Sequence, residues 1–252
     1  MTEKEALFTY LLRRGDDNLI LCQRLGEWCG HGPQLEEDIA LTNRALDLIG
    51  QARNYLQYAA EVEGKGRSED DLAFLRDERL FLNTKLVEQP NGDYAVTIVR
   101  SFLYDAWHLP LQQALMKSSD ARIAAIAGKA VKEVAYHLKA SGDWVIRFGD
   151  GTEESHRRAQ TALNDLWTYT GDLFAQDEVD ALLIKAGVVP DMEAIRAAFD
   201  RTVNDVLLEA TLQRPADGHM ATGGRQGLHS EHLGPMLAEM QYLQRSHPGA
   251  EW

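Results

Sequence analysis

Residues 36–63 read EEDIALTNRALDLIGQARNYLQYAAEVE. Acidic residues open the stretch, as suits the positive end of a helix dipole. Ile39, Leu41, Ala45, Leu46, Leu48, Ile49, Ala52, Tyr55, Leu56, Ala59 and Val62 recur at helical spacing. They wrap most of the circumference, which is the pattern of a long central helix buried on several sides. Gly30-His31-Gly32-Pro33 breaks the chain before it, and Gly64-Lys65-Gly66-Arg67-Ser68 connects it onward.

The same reading extends outward in both directions. Upstream, Leu7, Tyr10 and Leu11 form a short stripe that stops at Gly15, and Asp16 and Asp17 are placed to cap a second helix reaching about residue 29. Downstream, residues 70–86 read as shorter helical pieces ending at the Pro90-Asn91-Gly92 turn. Asp93 opens a long helix to about Met116, and Ser118-Ser119-Asp120 separates it from another to about Phe148. Thr152 caps a helix to about Phe174, and two more cover about 177–186 and 191–213. A glycine-containing loop over 214–227 leads to a last helix at about 230–245 with Ser230 as its cap. No period-2 strand pattern and no internal repeat occur. The expectation is an all-α chain: a ferritin-like four-helix bundle core with peripheral helices, one domain over 1–252.

Composition narrows the function. Of 252 residues, 26 are Lys or Arg and 39 are Asp or Glu, for a net charge of −13. Nucleic acid and anionic membranes both require a basic face, so neither is an expected partner. Hydrophobic residues make up 44%, enough for a large core. The start, Met1-Thr2-Glu3-Lys4-Glu5, lacks the basic-then-apolar pattern of a signal peptide. No apolar run approaches membrane-spanning length. Cys22 and Cys29 stand seven residues apart. On one helix that is about 10 Å, too far for a disulfide. Two reduced thiols in a cytoplasmic protein are expected.

Polar residues on the core helices carry the chemical question. Asn43, Asp47, Gln51 and Asn54 form one stripe on the long second helix. Gln23, Arg24 and Glu27 do the same on the helix before it. The Asp93 helix offers Asp105 and His108, and the next offers Glu133 and His137. Four helices each presenting a carboxylate, two of them adding a histidine, outline a di-metal bundle site. That site needs a Glu-x-x-His from each of two helices, because i, i+3 spacing sets both ligands on one face. Here the outline is broken. Gln51 is an amide, a poor ligand for iron, and Leu48 at the alternative position coordinates nothing. Tyr136 stands three residues after Glu133, with His137 displaced to i+4. Only Asp105 to His108 keeps the spacing. A missing ligand pair leaves a metal under-coordinated. The expectation is a buried network of side chains, such as Arg24–Glu27 and Arg44–Asp47, without bound metal.

Other constellations read as structural. Glu153-Glu154-Ser155-His156 sits at a helix start behind Thr152, where acids suit the dipole. His229 and His232 have i, i+3 spacing but also flank a plausible cap at Ser230, so a structural or interface role is expected. Gly223-Gly224-Arg225-Gln226-Gly227 follows no strand and reads as a loop of close approach rather than a phosphate cradle.

Several strings resemble the C-subunit family of the bacterial phenylacetyl-CoA epoxidase complexes. They are Gly15-Asp16-Asp17-Asn18, the run from Gln23 to His31, the run from Leu46 to Leu56, the run from Val87 to Gly92, Asp105-Ala106-Trp107-His108, and the long run from Gly227 to Leu243. The likeness covers essentially the whole chain. The resemblance implies a ferritin-like fold and a division of labour. A catalytic A subunit holds the di-iron centre and binds phenylacetyl-CoA. Its C-type relative pairs with it, binds no cofactor of its own and supplies no catalytic residue. A small bridging subunit and a reductase complete the implied set of components. The alternative is an independent di-metal oxidase using Glu27, Asp47, Asp105, His108, Glu133 and His137.

A chain without chemistry of its own acts through its surface. The last helix, poor in aromatics and carrying Met236, Met240, Tyr242 and Leu243 behind His229 and His232, is the expected partner surface. In isolation a self-pair could stand in for the missing partner.

Overall fold

The computed structural model describes residues 1–250. Among them are ten α-helices and no strand: α1 (Glu3–Gly26), α2 (Leu35–Glu63), α3 (Glu69–Phe74), α4 (Lys85–Glu88), α5 (Tyr94–Leu115), α6 (Ala121–Gly149), α7 (Glu153–Trp167), α8 (Glu178–Lys185), α9 (Met192–Glu209) and α10 (Leu233–Ser246). The chain is all-α, consistent with a ferritin-like helical fold. None of the described helices is long and apolar enough to cross a membrane.

The residues fall into two compact units. The first holds Met1–Pro90 together with the chain from Thr222 onward, and the second holds Asn91–Ala221. In the first, α1 and α2 form an antiparallel hairpin. Gly15 fixes how closely they approach. A Cβ there would lie 2.6 Å from Leu56 Cδ2, so no larger residue fits without moving Leu56. In the second, α5 and α6 form the corresponding hairpin, with Phe102 against Gly142 and Tyr94 edge-on to Trp144 at 5.6 Å.

Local chemistry sets most boundaries as the sequence indicates. Asp93, Asp120, Thr152, Asp177 and Asp191 are all N-caps whose side chains accept backbone N–H groups of the first turn. Gly64 ends α2 in the left-handed region, at φ 73°. Four expectations are corrected. Gly15 does not stop the first helix, and Asp16 and Asp17 do not cap a second: α1 runs unbroken through them. Ser230 does not cap the last helix, which begins at Leu233. Cys29 lies beyond the end of α1 and is exposed, so the two free thiols do not share a helix. The turn after Trp167 also tightens into a 3₁₀ segment, Thr168–Phe174, instead of continuing α7.

The reason α1 continues through two aspartates is tertiary. Asp16 accepts Arg76 Nη1 at 3.0 Å, Arg76 Nη2, and the Leu82 amide at 2.8 Å. Asp17 accepts the Thr84 amide at 2.8 Å and Arg225 Nη2 at 2.9 Å, and pairs with Arg14 at 3.1 Å. Both carboxylates are buried. A buried carboxylate persists only when paired and hydrogen-bonded. Each here has a guanidinium and a backbone donor, so the capping role available to an aspartate is displaced.

Candidate functional site

The residues expected at a di-metal site divide between the two units. In the second, Asp105 and His108 on α5 and His137 on α6 are all buried. The i, i+3 spacing of α5 turns Asp105 and His108 to one face, and the antiparallel hairpin brings α6 alongside. Ser141, one turn beyond His137, lies with its Oγ 2.8 Å from Asp105 Oδ2. An ionised carboxylate only accepts, so the hydroxyl donates to it. Gln112, one turn beyond His108, sets its Nε2 2.7 Å from His108 Nε2. With the amide as donor, that imidazole lone pair is engaged and the ring proton sits on Nδ1. The His108 ring is further held against Tyr104, centroids 4.9 Å apart, and stacked on Trp107. Glu133 is only half-buried, and Tyr136 at the i+3 position points to solvent. The two best-placed ligand atoms therefore already carry hydrogen bonds from neutral side chains of neighbouring turns.

In the first unit, Glu27 stands at the C-cap of α1, partly exposed, with Arg24 Nη1 on its Oε1 at 2.9 Å. That is the ion pair the spacing indicates. Arg24 also gives its Nε and Nη2 to the Glu88 carbonyl, at 3.2 and 2.8 Å. On α2, Arg44 and Gln51 are buried while Asp47 is half-exposed and Asn43 exposed, so the polar stripe is only partly inside. Among the described residues, no three His, Cys, Asp or Glu side chains are grouped to hold a metal ion.

The polar centre that sequence spacing does not reveal is the anchorage of the chain after Thr222. The side chains of His229 and Glu88 are both fully buried, with Nδ1 2.9 Å from Glu88 Oε2. His229 Nε2 lies 2.8 Å from the Phe81 carbonyl. Glu88 also accepts the Ser230 amide at 2.6 Å and Asn83 Nδ2 at 3.0 Å. Burial alone would lower the His229 pKa. The hydrogen bond and charge of Glu88, the Phe81 carbonyl and Glu78 outweigh it and hold the pKa above the ordinary value. Both ring nitrogens thus face acceptors, which suits an imidazolium. Gly227, in the left-handed region at φ 72°, passes so close to the Arg79 carbonyl that a Cβ would come within 2.3 Å of its oxygen. The close approach expected of this loop is made within the first unit. In the sequence, Glu88 stands out only by its place in the run from Val87 to Gly92.

This geometry separates the expected surface residues. His229 and His232 do not converge. The first is interior, and the second exposes part of its ring while its carbonyl accepts Arg24 Nη2 at 3.3 Å. Met236 is buried and Met240 half-buried. Tyr242 and Leu243 are exposed at 68% and 44%. Of the six, the last two are the side chains that α10 presents outward. Arg245 and Gln241 fasten the helix to the Arg76 carbonyl, at 2.9 and 3.0 Å.

A family model described as phenylacetic acid catabolic protein matches residues 1–252. The chain belongs to this family. It is 54% identical over 246 residues to the C subunit of the 1,2-phenylacetyl-CoA epoxidase of Escherichia coli (strain K12). The match spans 98% of this chain and 99% of that protein. At such coverage the match takes in both units.

Proposed function

We propose that this chain is a non-catalytic subunit of a cytoplasmic phenylacetyl-CoA epoxidase complex, pairing with and supporting the A subunit that holds the di-iron centre. The reaction belongs to the complex: O₂-dependent epoxidation of the aromatic ring of phenylacetyl-CoA, with electrons from a separate reductase and with a small bridging subunit among the components. The observation that carries this reading is the state of the ligand positions. Asp105 carries the Ser141 hydroxyl, His108 carries the Gln112 amide, and an amide stands at Gln51. Iron would have to compete with those donors and would meet an amide at Gln51. The residues present do not fit a di-iron centre, and no step of the reaction is assigned to them.

The test is metal content and assembly together. Purified alone, the chain should hold well under one iron per molecule after loading with ferrous ion in the absence of oxygen. Co-expressed with the A subunit, it should co-elute as a complex larger than either chain. Two tightly held irons per chain that develop an oxo-bridged optical band once air is admitted would establish the independent oxidase instead.

A further inference from the structure

The strap from Thr222 to His232 is held mainly by polar contacts. Leu228, its one large apolar residue, is 52% exposed. Its two flanks are fixed. Arg225 is buried on Asp17 and on the Leu82 and Arg13 carbonyls. Beyond the strap, α10 buries Leu233, Met236 and Leu237 and gives Gln241 Nε2 to the Ala73 and Arg76 carbonyls. Between these anchors lies the loop 226–232, and the side chain that ties it inward is His229, fully buried against Glu88. A segment with so few buried apolar contacts opens at a lower free energy than the core around it. Whether this loop opens therefore turns on what His229 can bond.

The ring meets an acceptor at each nitrogen, Glu88 Oε2 at 2.9 Å from Nδ1 and the Phe81 carbonyl at 2.8 Å from Nε2. An imidazolium donates to both. A neutral ring has one N–H and leaves the other buried acceptor facing a lone pair, which costs the desolvation of that group. The charged groups around the ring come from three elements. Beneath it lie Glu88 and Glu78, with Arg79 on the Gly227 carbonyl. From α1 come Arg24, on the Glu88 carbonyl, and Asp17, on Arg225. The strap itself adds Arg225, Glu231 and His232, the last partly exposed and 3.8 Å from Glu231. Among side chains of these types, only imidazole ordinarily changes charge between pH 5 and 8. Both carboxylates and the Phe81 carbonyl favour the charged ring, so the closed form lies on the acid side and the open form on the alkaline side. We infer that His229 is a pH-operated clasp: protonated, it closes the 226–232 loop onto Phe81 and Glu88, and deprotonated, it lets that loop open while Arg225 and α10 stay in place.

Hydrogen–deuterium exchange of the full-length chain tests this between about pH 6 and about pH 9, with labelling times scaled so that intrinsic exchange is equal at every pH. Amides of 226–232, including the Ser230 amide held by Glu88, should lose protection at least about threefold toward alkaline pH relative to the amides of α1. His229→Gln can donate to one acceptor only and should show the low protection at every pH. Glu88→Gln should move the loss to lower pH, and His232→Gln should keep the wild-type profile. Circular dichroism checks that each variant is folded, and the wild-type comparison of loop against α1 needs no variant. Loop protection that stays level across the range, or that falls only in step with α1, overturns the clasp. So does a wild-type profile in His229→Gln. A profile abolished by His232→Gln assigns the titration to the other ring and overturns it as well.

Discussion

Asp17 and Arg225 are separated by 208 residues in the chain and by 2.9 Å in the fold, in a contact almost wholly removed from water. The pair ties the middle of α1 to the strap that precedes α10. Arg225 also donates to the Leu82 and Arg13 carbonyls, at 3.0 and 3.3 Å. One side chain thus joins three segments of the first unit.

Removing either partner leaves the other buried and uncompensated. Asp17→Ala and Arg225→Ala should each cost about 3–5 kcal/mol of unfolding free energy. Arg225→Lys keeps the charge but not the fork of donors, and should lie between wild type and Arg225→Ala. Urea denaturation followed by circular dichroism reads all three. Losses below about 1 kcal/mol for both alanine variants would show that the network does not hold the strap.

Gly15 is required by packing rather than by dihedral angle. Alanine is about 1 kcal/mol better than glycine in a helix interior, so Gly15→Ala would stabilise α1 in isolation. In the protein its Cβ would lie 2.6 Å from Leu56 Cδ2. Overpacking of that kind costs about 1–3 kcal/mol, and the net effect should be a loss. Adding Leu56→Val should recover part of it, a coupling visible in a double-mutant cycle. A more stable Gly15→Ala protein contradicts this packing.

His229 makes stability depend on pH in a defined direction. Its folded pKa is raised above 6.5, chiefly by Glu88 against the opposing effect of burial. The stabilisation is therefore fully present below the unfolded pKa and is lost as pH rises through the folded one. The stability gap between wild type and His229→Gln should be widest in mildly acid solution and narrow toward alkaline pH. Glu88→Gln should flatten that dependence. Side-chain nitrogen NMR should show the His229 ring staying protonated to a higher pH than it does in Glu88→Gln. A ring that loses its proton at the same pH in both proteins would refute the assignment.

The two thiols should differ in reactivity. Burial pushes the Cys22 thiol up to about 11, against a weaker lowering by the Ile49 backbone. At pH 8 about one in a thousand of these groups is thiolate, the form that reacts. Cys29 is exposed. Native alkylation at pH 8 should therefore modify Cys29 alone, with Cys22 reacting only in denaturant. Mass spectrometry of peptides reads the result, and equal labelling of both would contradict the burial of Cys22.

Much of the helix inventory was legible because its causes are local. Asp93, Asp120, Thr152, Asp177 and Asp191 cap helices with side chains that reach only two or three residues along the chain. The broken ligand spacing on α5 and α6 was legible for the same reason: helical geometry fixes which positions share a face. The hydrogen bonds that engage Asp105 and His108 were not. Ser141 and Gln112 carry no spacing signal of a metal site and acquire their role only when the turns are laid side by side.

The sequence by itself determined an all-α chain, the helix starts at Asp93, Asp120, Thr152, Asp177 and Asp191, the net acidity and the family. Periodicity, caps and composition are properties of neighbouring residues, so they survive without a fold. Tertiary structure decided the fate of each ambiguous polar group. Asp16 and Asp17 have the chemistry of caps, yet Arg76 and Arg225 claim them inside α1. Ser230 has the chemistry of a cap, yet its amide is held by Glu88 three residues before α10 begins. The apolar residues of α2 are alike in sequence, yet α1 covers one face and leaves the other. A local hydrogen bond competes with a distant ion pair or contact, and only the folded chain brings the distant partner within reach.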